Sequence, residues 1–155
     1  MFLSCAALQA VTWIDEGMGK RIRGVTFSAR VSTQFENTMI HTARGIFTRL
    51  LPNIYTLITK LVHKLESMFR LCSPGYGISL VAETTYGCFV SADTAVSYSR
   101  EDEVTEIDDK KKELLPPADV GEQIASVLLQ EIEQGGVVDS RHQVRVVSAL
   151  YYLFD

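Results

Sequence analysis

The sequence predicts an α+β fold, and three observations carry that reading. The stretch "RIRGVTFSARV" alternates apolar and polar residues ahead of a segment whose apolar residues recur at three- and four-residue intervals. The stretch "GISLVAETTYGCFVSA" contains two strand-like runs around a Tyr-Gly pair. A second amphipathic segment opens on a Pro-Pro pair and closes on a Gly-Gly pair, the usual punctuation of a helix.

Taken in order, Arg21 to Val31 reads as a strand with Val25, Phe27, Ala29 and Val31 on the buried face and Thr26, Ser28 and Arg30 opposite. Thr33 and Glu36 then have capping-box spacing, and Phe35, Met39, Ala43, Ile46, Phe47 and Leu50 line one helical face. This predicts a helix over Thr33 to Leu51, stopped by Pro52, because proline disfavours helical geometry in the residue before it. In "IYTLITKLVHKLESMFRL", Leu57, Leu61, Leu65, Met68 and Phe69 fall on one helical face opposite Lys60, Lys64 and Glu66, so 57–71 reads as a second helix. A hairpin follows over 78–92, with its turn between Thr85 and Gly87. Tyr98 to Glu113 is too polar to bury a core and reads as a solvated linker. Val120, Ile124, Val127, Leu128 and Ile132 then define a helix from Pro117 to Gln134. The tail "VRVVSALYYLFD" has the composition of a strand, with a short helix as the alternative.

A chain of 155 residues can bury one sizeable core. Its formal net charge of −4 excludes the basic excess of a domain that grips nucleic acid with its whole surface, so any RNA contact is expected to be local or shared. Cys5, Cys72 and Cys88 are widely spaced, with no C-x-x-C pair, which argues against a disulfide framework and a zinc site and for a reducing compartment. The opening "MFLSCAALQAVTW" has no basic flank and is cut short by Asp15 and Glu16, so it is expected to be neither signal nor membrane anchor.

Few residues claim chemistry. Gly75-Tyr76-Gly77 resembles part of a phosphate loop but lacks a Gly-Lys-Ser/Thr ending, and a strand follows it, so both glycines are expected to form a turn using their freedom at positive φ. Glu83 and Asp93 form no recognisable acid–base pair by spacing, and Glu83 is expected to be an exposed strand-end carboxylate. His41 and His63 sit on predicted helices, whereas His142 lies beyond a glycine stop, a more favourable place for function. No Cys stands at ligand spacing from any of the three. Lys20, Arg21, Arg23 and Arg30 cluster around the first strand, with Arg44 and Arg49 on the next helix, and such a patch could meet phosphates.

With "RIRGVTFSARVS", "SPGYGISLVAETTYGCFVSA" and "VGEQIASVLLQEIEQGGVVDS" in that order, the chain resembles the RNA 3′-terminal phosphate cyclase-like proteins of the eukaryotic ribosome-biogenesis branch, over about two-thirds of its length. The resemblance implies a fragment of the RNA 3′-terminal phosphate cyclase fold: an inserted small α/β domain plus part of the main βα-repeat domain. It implies action in the nucleus and nucleolus, in precursor-rRNA cleavage toward 18S rRNA within the small-subunit processome, alongside a ribosome-biogenesis GTPase. No cofactor, metal or membrane is implied, and endonuclease activity is an open role for the complete family member. The alternative is a true cyclase, which uses ATP to form a 2′,3′-cyclic phosphate through a histidine-linked adenylate. True cyclases resemble one another in a D-E-Y-x-x-D-Q pattern after the glycine pair; from Asp139 this chain has Ser140, Arg141, Val144 and Arg145 at the positions that differ. The cyclase nucleophile would lie beyond Asp155, and His142 is not its counterpart.

The implied organisation is a main-domain segment over 1–20, the inserted domain over 21–92, a charged linker over 93–116 and a main-domain segment over 117–155. Where the family carries a strand and a polar, glycine-containing connection, this chain has the helical-looking "TLITKLVHKLESMFRLC". That departure, and those of the first nine and last dozen residues, points to an altered transcript or gene model.

Overall fold

The computed structural model describes residues 15–61, 74–97 and 115–143. Its elements are β1 (Gly19–Ala29), α1 (Gln34–Leu50), β2 (Tyr55–Lys60), β3 (Gly75–Thr84), β4 (Phe89–Ser97) and α2 (Pro117–Gln134). The strands form one sheet in the order β2-β1-β3-β4. β1 and β2 are parallel, whereas β3 is antiparallel to both β1 and β4. Both helices contribute buried residues to a single core with one face of this sheet.

The strand over Tyr55–Lys60 corrects the helical reading of that segment. Its helical apolar spacing is real, but parallel pairing with β1 places Ile58 beside Gly24, and Ile58 is buried while Leu57 stays exposed. Backbone pairing with a central strand and the burial of Ile58 override a helical period read from spacing alone. The remainder of the predicted second helix, beyond Leu61, lies outside the described residues, as do 1–14, most of the charged linker and the tail from Val144. β4 extends to Ser97, so Asp93 to Ser97 belong to the sheet and not to the linker.

β1 is a strand as expected, but its faces are reversed. Ile22, Thr26 and Ser28 are buried in the core, while Val25 is exposed. Register explains this inversion. Gly24 stands opposite Leu80, Thr26 opposite Ile78 and Ser28 opposite Tyr76, so small residues of β1 leave room for large ones of β3. A Cβ at Gly24 would lie 2.5 Å from Leu80 Cδ2. On the opposite face Phe27 lies over Gly77, where an added Cβ would come within 2.5 Å of the ring. An aromatic covering a cross-strand glycine contributes apolar contact that the glycine cannot.

Gly75 and Gly77 therefore do not form a turn. Both lie within β3, and the glycines at positive φ are Gly17, Gly87, Gly135 and Gly136 among the described residues. A side chain at Gly75 would meet Val96 O at 2.6 Å, and one at Gly77 would meet Thr94 O at the same distance. Close strand approach, not backbone freedom, excludes larger residues there. The expected hairpin turn does use a positive φ: Gly87, at +82°, lets its N–H donate to Thr84 O while Thr84 N–H donates to Cys88 O.

α1 begins and ends close to the predicted limits, yet Glu36 makes no capping box. The N-cap Thr33 makes no side-chain cap; Ser32 before it accepts the Gln34 N–H on its Oγ at 3.3 Å and the Phe35 N–H on its carbonyl at 3.1 Å. Glu36 is buried and accepts a hydrogen bond from the Ser28 hydroxyl. Two polar groups are thus satisfied by each other under the helix. α2 has the predicted limits and presents Val120, Ile124 and Leu128 to the core. The helices approach so closely that a Cβ at Gly121 would lie 2.8 Å from Met39 O. Tyr76 is buried edge-on to Phe35, with ring centroids 5.2 Å apart, and its hydroxyl donates to Leu115 O at the entrance to α2.

Gly121→Ala is expected to lower stability by about 1 to 3 kcal/mol, since backbone must move to admit the methyl group. Urea unfolding followed by circular dichroism measures this; Gly45→Ala, where nothing lies within 4 Å of the added atom, is the control that should not lose stability.

Candidate nucleic-acid interface

The sheet face away from the helices is built in cross-strand rows. One row runs Tyr55, Arg21, Glu83, Phe89; the next runs Leu57, Arg23, Val81, Ser91. The pairing of β1 with β3 shifts between Gly19 and Arg21, leaving Lys20 as an extra residue. Such a bulge re-aims a side chain, and here Lys20 reaches the same carboxylate as its neighbours.

Glu83 is the centre of this face. It accepts hydrogen bonds from Arg21 Nε, from Arg23 Nη2 at 3.0 Å and from Lys20 Nζ at 3.2 Å. The Arg21 and Arg23 guanidiniums, helped by Lys20, hold the Glu83 carboxyl at about 2 against an ordinary value of 4.5. The expectation of an exposed strand-end carboxylate is corrected: Glu83 is buried, because three long cationic side chains fold over it. A carboxyl held so low stays ionised at neutral pH and cannot deliver a proton as a general acid. The cations themselves remain accessible, with Lys20 and Arg23 about half exposed.

Among the described residues three cations share one carboxylate, so the cluster carries surplus positive charge there within a chain of net negative charge. The structure brings together Lys20, Arg21 and Arg23 but not Arg30. Arg30 lies just past the far end of β1, roughly 30 Å away at the ordinary rise of a strand, in a left-handed conformation with φ of 57°. Arg44 and Arg49 are exposed on α1, on the other side of the sheet, and do not join the cluster.

A second polar cluster ties the segment after α2 to β4. Asp139 is buried, and its Oδ2 accepts from both the Ser91 N–H (2.9 Å) and the Ser91 hydroxyl (2.8 Å). Its Oδ1 accepts from the His142 N–H at 2.9 Å and contacts His142 Nδ1 at 2.6 Å. Burial pushes the Asp139 carboxyl up, but the hydrogen bonds from Ser91 and His142 outweigh it and the net shift is downward. Serine and histidine both bind the carboxylate rather than each other, so the trio lacks the hydroxyl–imidazole contact that activates a nucleophile. His142 is thereby a fastening residue. Arg141 pairs with Asp93 at 3.0 Å, and the Ser140 hydroxyl donates to Glu131 at 2.9 Å.

His41 is exposed on α1, and His63 lies outside the described residues. Cys88 is a buried free thiol. Among the described residues no group of His, Cys, Asp and Glu could hold a metal ion, and no helix is long and apolar enough to cross a membrane. The sequence reading recognised the cations but missed Glu83 as their shared partner. Only the register of β1 against β3 shows it, since the two segments are far apart in sequence.

The profile of the RNA 3′-terminal phosphate cyclase insert domain matches residues 14–133, covering the sheet, both helices and the cationic cluster. The chain belongs to the RNA 3′-terminal phosphate cyclase family, of which this α+β unit is the insert domain. It is 56% identical over 136 residues to a probable RNA 3′-terminal phosphate cyclase-like protein of Arabidopsis thaliana, a match covering 88% of this chain and 35% of the relative. It is 37% identical over 136 residues to the human RNA 3′-terminal phosphate cyclase-like protein, covering 88% of this chain and 33% of the relative. It is also 35% identical over 130 residues to the rRNA processing protein rcl1 of Schizosaccharomyces pombe, covering 84% of this chain and 31% of the relative. The chain thus spans about a third of the length of these relatives.

The Glu83 carboxyl sets a pH dependence. Its folded value lies below its unfolded one, so its stabilisation is complete above about pH 4.5 and is lost as pH falls toward about 2. Urea midpoints measured across this range should fall more steeply for the wild type than for Glu83→Gln. Asp139→Ala, which strands the Ser91 N–H in a half-buried site, should cost about 1 to 3 kcal/mol in the same measurement at neutral pH.

Proposed function

We propose that this chain is part of an rRNA-processing factor that acts in ribosome biogenesis in the nucleus and nucleolus, without cyclase activity. The observation that carries this reading is family membership together with the relative named as an rRNA processing protein. The finer reading is action in precursor-rRNA cleavage toward 18S rRNA, within the small-subunit processome and beside a ribosome-biogenesis GTPase. Endonuclease activity belongs to this proposal only for the complete protein. The absence of the D-E-Y-x-x-D-Q pattern from Asp139 onward supports the non-cyclase branch. The side chains of Ser140 and Arg141 bind Glu131 and Asp93 instead of standing ready for a nucleotide.

Within that role the proposed RNA contact is Lys20, Arg21 and Arg23, whose charge one carboxylate offsets among the described residues. Arg30, far along β1, is not part of this contact surface. The inserted domain is proposed to include α2, whose buried residues share the core of the sheet. The departures from family sequence over 56–72 and at both termini are proposed to be transcript or gene-model products, which sequencing the encoding exons tests.

Depleting the complete protein from cells should lower 18S rRNA and accumulate its precursor while leaving the large-subunit rRNAs near normal. Unchanged 18S levels would count against the proposal, as would a covalent adenylate on the complete protein after incubation with ATP. For the chain itself, replacing Lys20, Arg21 and Arg23 with Ala should flatten the salt dependence of single-stranded RNA binding. The expected change in log–log slope is about 2, following three lost phosphate contacts.

A further inference from the structure

Two aromatic side chains on the open sheet face stand unexplained by the cationic cluster they flank. Tyr55 on β2 is 65% exposed and Phe89 on β4 is 55% exposed. Both belong to the same cross-strand row, with Arg21 and Glu83 between them. An exposed aromatic at each end of a charged row leaves apolar surface in water on both sides of a group of cations. Strands lie about 4.8 Å apart, so the two rings stand about 14 Å from each other across the sheet.

We infer that this face is a single-stranded RNA platform on which Tyr55 and Phe89 each stack an unpaired base while Lys20, Arg21 and Arg23 hold the phosphates between them. This rests on the RNA-contact reading above and deepens it by naming the bases' partners and the strandedness of the ligand. Three features select the occupant. The surplus positive charge requires an anionic chain. The rings offer flat apolar faces, which unpaired bases fill by stacking and acidic side chains do not. Their separation, about four times the 3.4 Å step of a stacked strand, places non-adjacent bases on them with phosphates in between. A duplex keeps its bases internal and could use only the cations.

Glu83 has a defined part in this arrangement. Besides Lys20 Nζ, it engages Nε of Arg21 and Nη2 of Arg23. The remaining N–H donors of both guanidiniums have no hydrogen-bond partner among the described residues and are available to phosphate oxygens. The carboxylate thus orients two otherwise flexible side chains without using up their donors, which reduces the ordering that RNA must impose.

The test is fluorescence anisotropy with the 155-residue chain, using a labelled single-stranded oligouridine and an RNA duplex of the same length. Tyr55→Ala and Phe89→Ala should each weaken single-strand binding roughly tenfold while leaving duplex binding and the salt slope unchanged. Tyr55→Phe, which keeps the ring, should restore binding. Unchanged single-strand affinity in both alanine variants would overturn the platform. If the lysine and arginine substitutions still weakened binding in that case, RNA contact through the cations would stand. Equal wild-type affinity for the two RNAs, or displacement of RNA by an acidic peptide at equal charge concentration, would also overturn it. Circular dichroism of each variant separates loss of binding from loss of fold.

Discussion

Strands β1 and β2 are parallel, and a parallel pair can be joined only by a chain that crosses over one face of the sheet. Here α1 makes that crossing, and its position commits the whole sheet to one buried side. Every other packing choice follows. Met39, Ala43 and Phe47 of α1 must be met by Ile22, Ile58, Ile78 and Leu80 from the strands, and α2 packs beside α1 over the same core. Among the described residues neither helix contributes to the opposite face. A helix over Tyr55 to Lys60 would have removed the parallel partner and with it the reason for the crossover.

That division explains why the cations of β1 matter. Arg21 and Arg23 alternate with Ile22, so once Ile22 is in the core both arginines must project from the open face. Antiparallel pairing then sets Glu83 directly opposite Arg21. Opposite charges in a cross-strand pair are mildly favourable in general; three donors on one shielded carboxylate make this pair a stable ionised centre over most of the pH range. The cluster is both a fastening between β1 and β3 and a source of local positive potential in an acidic chain.

The family relationship fits this dual character. Among the described residues the polar networks of this insert domain are structural where they are buried and open where they are charged. Asp139, Ser91 and His142 show the first kind: a carboxylate in the protein interior with both oxygens occupied. Lys20 and Arg23 show the second, with heads half in water. Reading His142 as a catalytic group would have mistaken the first kind for the second.

The sequence by itself determined the α+β class, the limits of α1 and α2, the hairpin turn at Gly87 and the family, because these depend on local spacing, proline and glycine chemistry and recognisable runs of residues. It also located the cations Lys20, Arg21 and Arg23. Tertiary structure alone decided three things. It made Tyr55 to Lys60 a strand, since pairing with β1 supplies backbone partners and buries Ile58, which local spacing cannot foresee. It turned Thr26 and Ser28 inward and Val25 outward, since neighbours on β3 fill the space above small residues of β1. And it gave Glu83 to the cations, because a cross-strand partner is fixed by register, which no stretch of sequence contains.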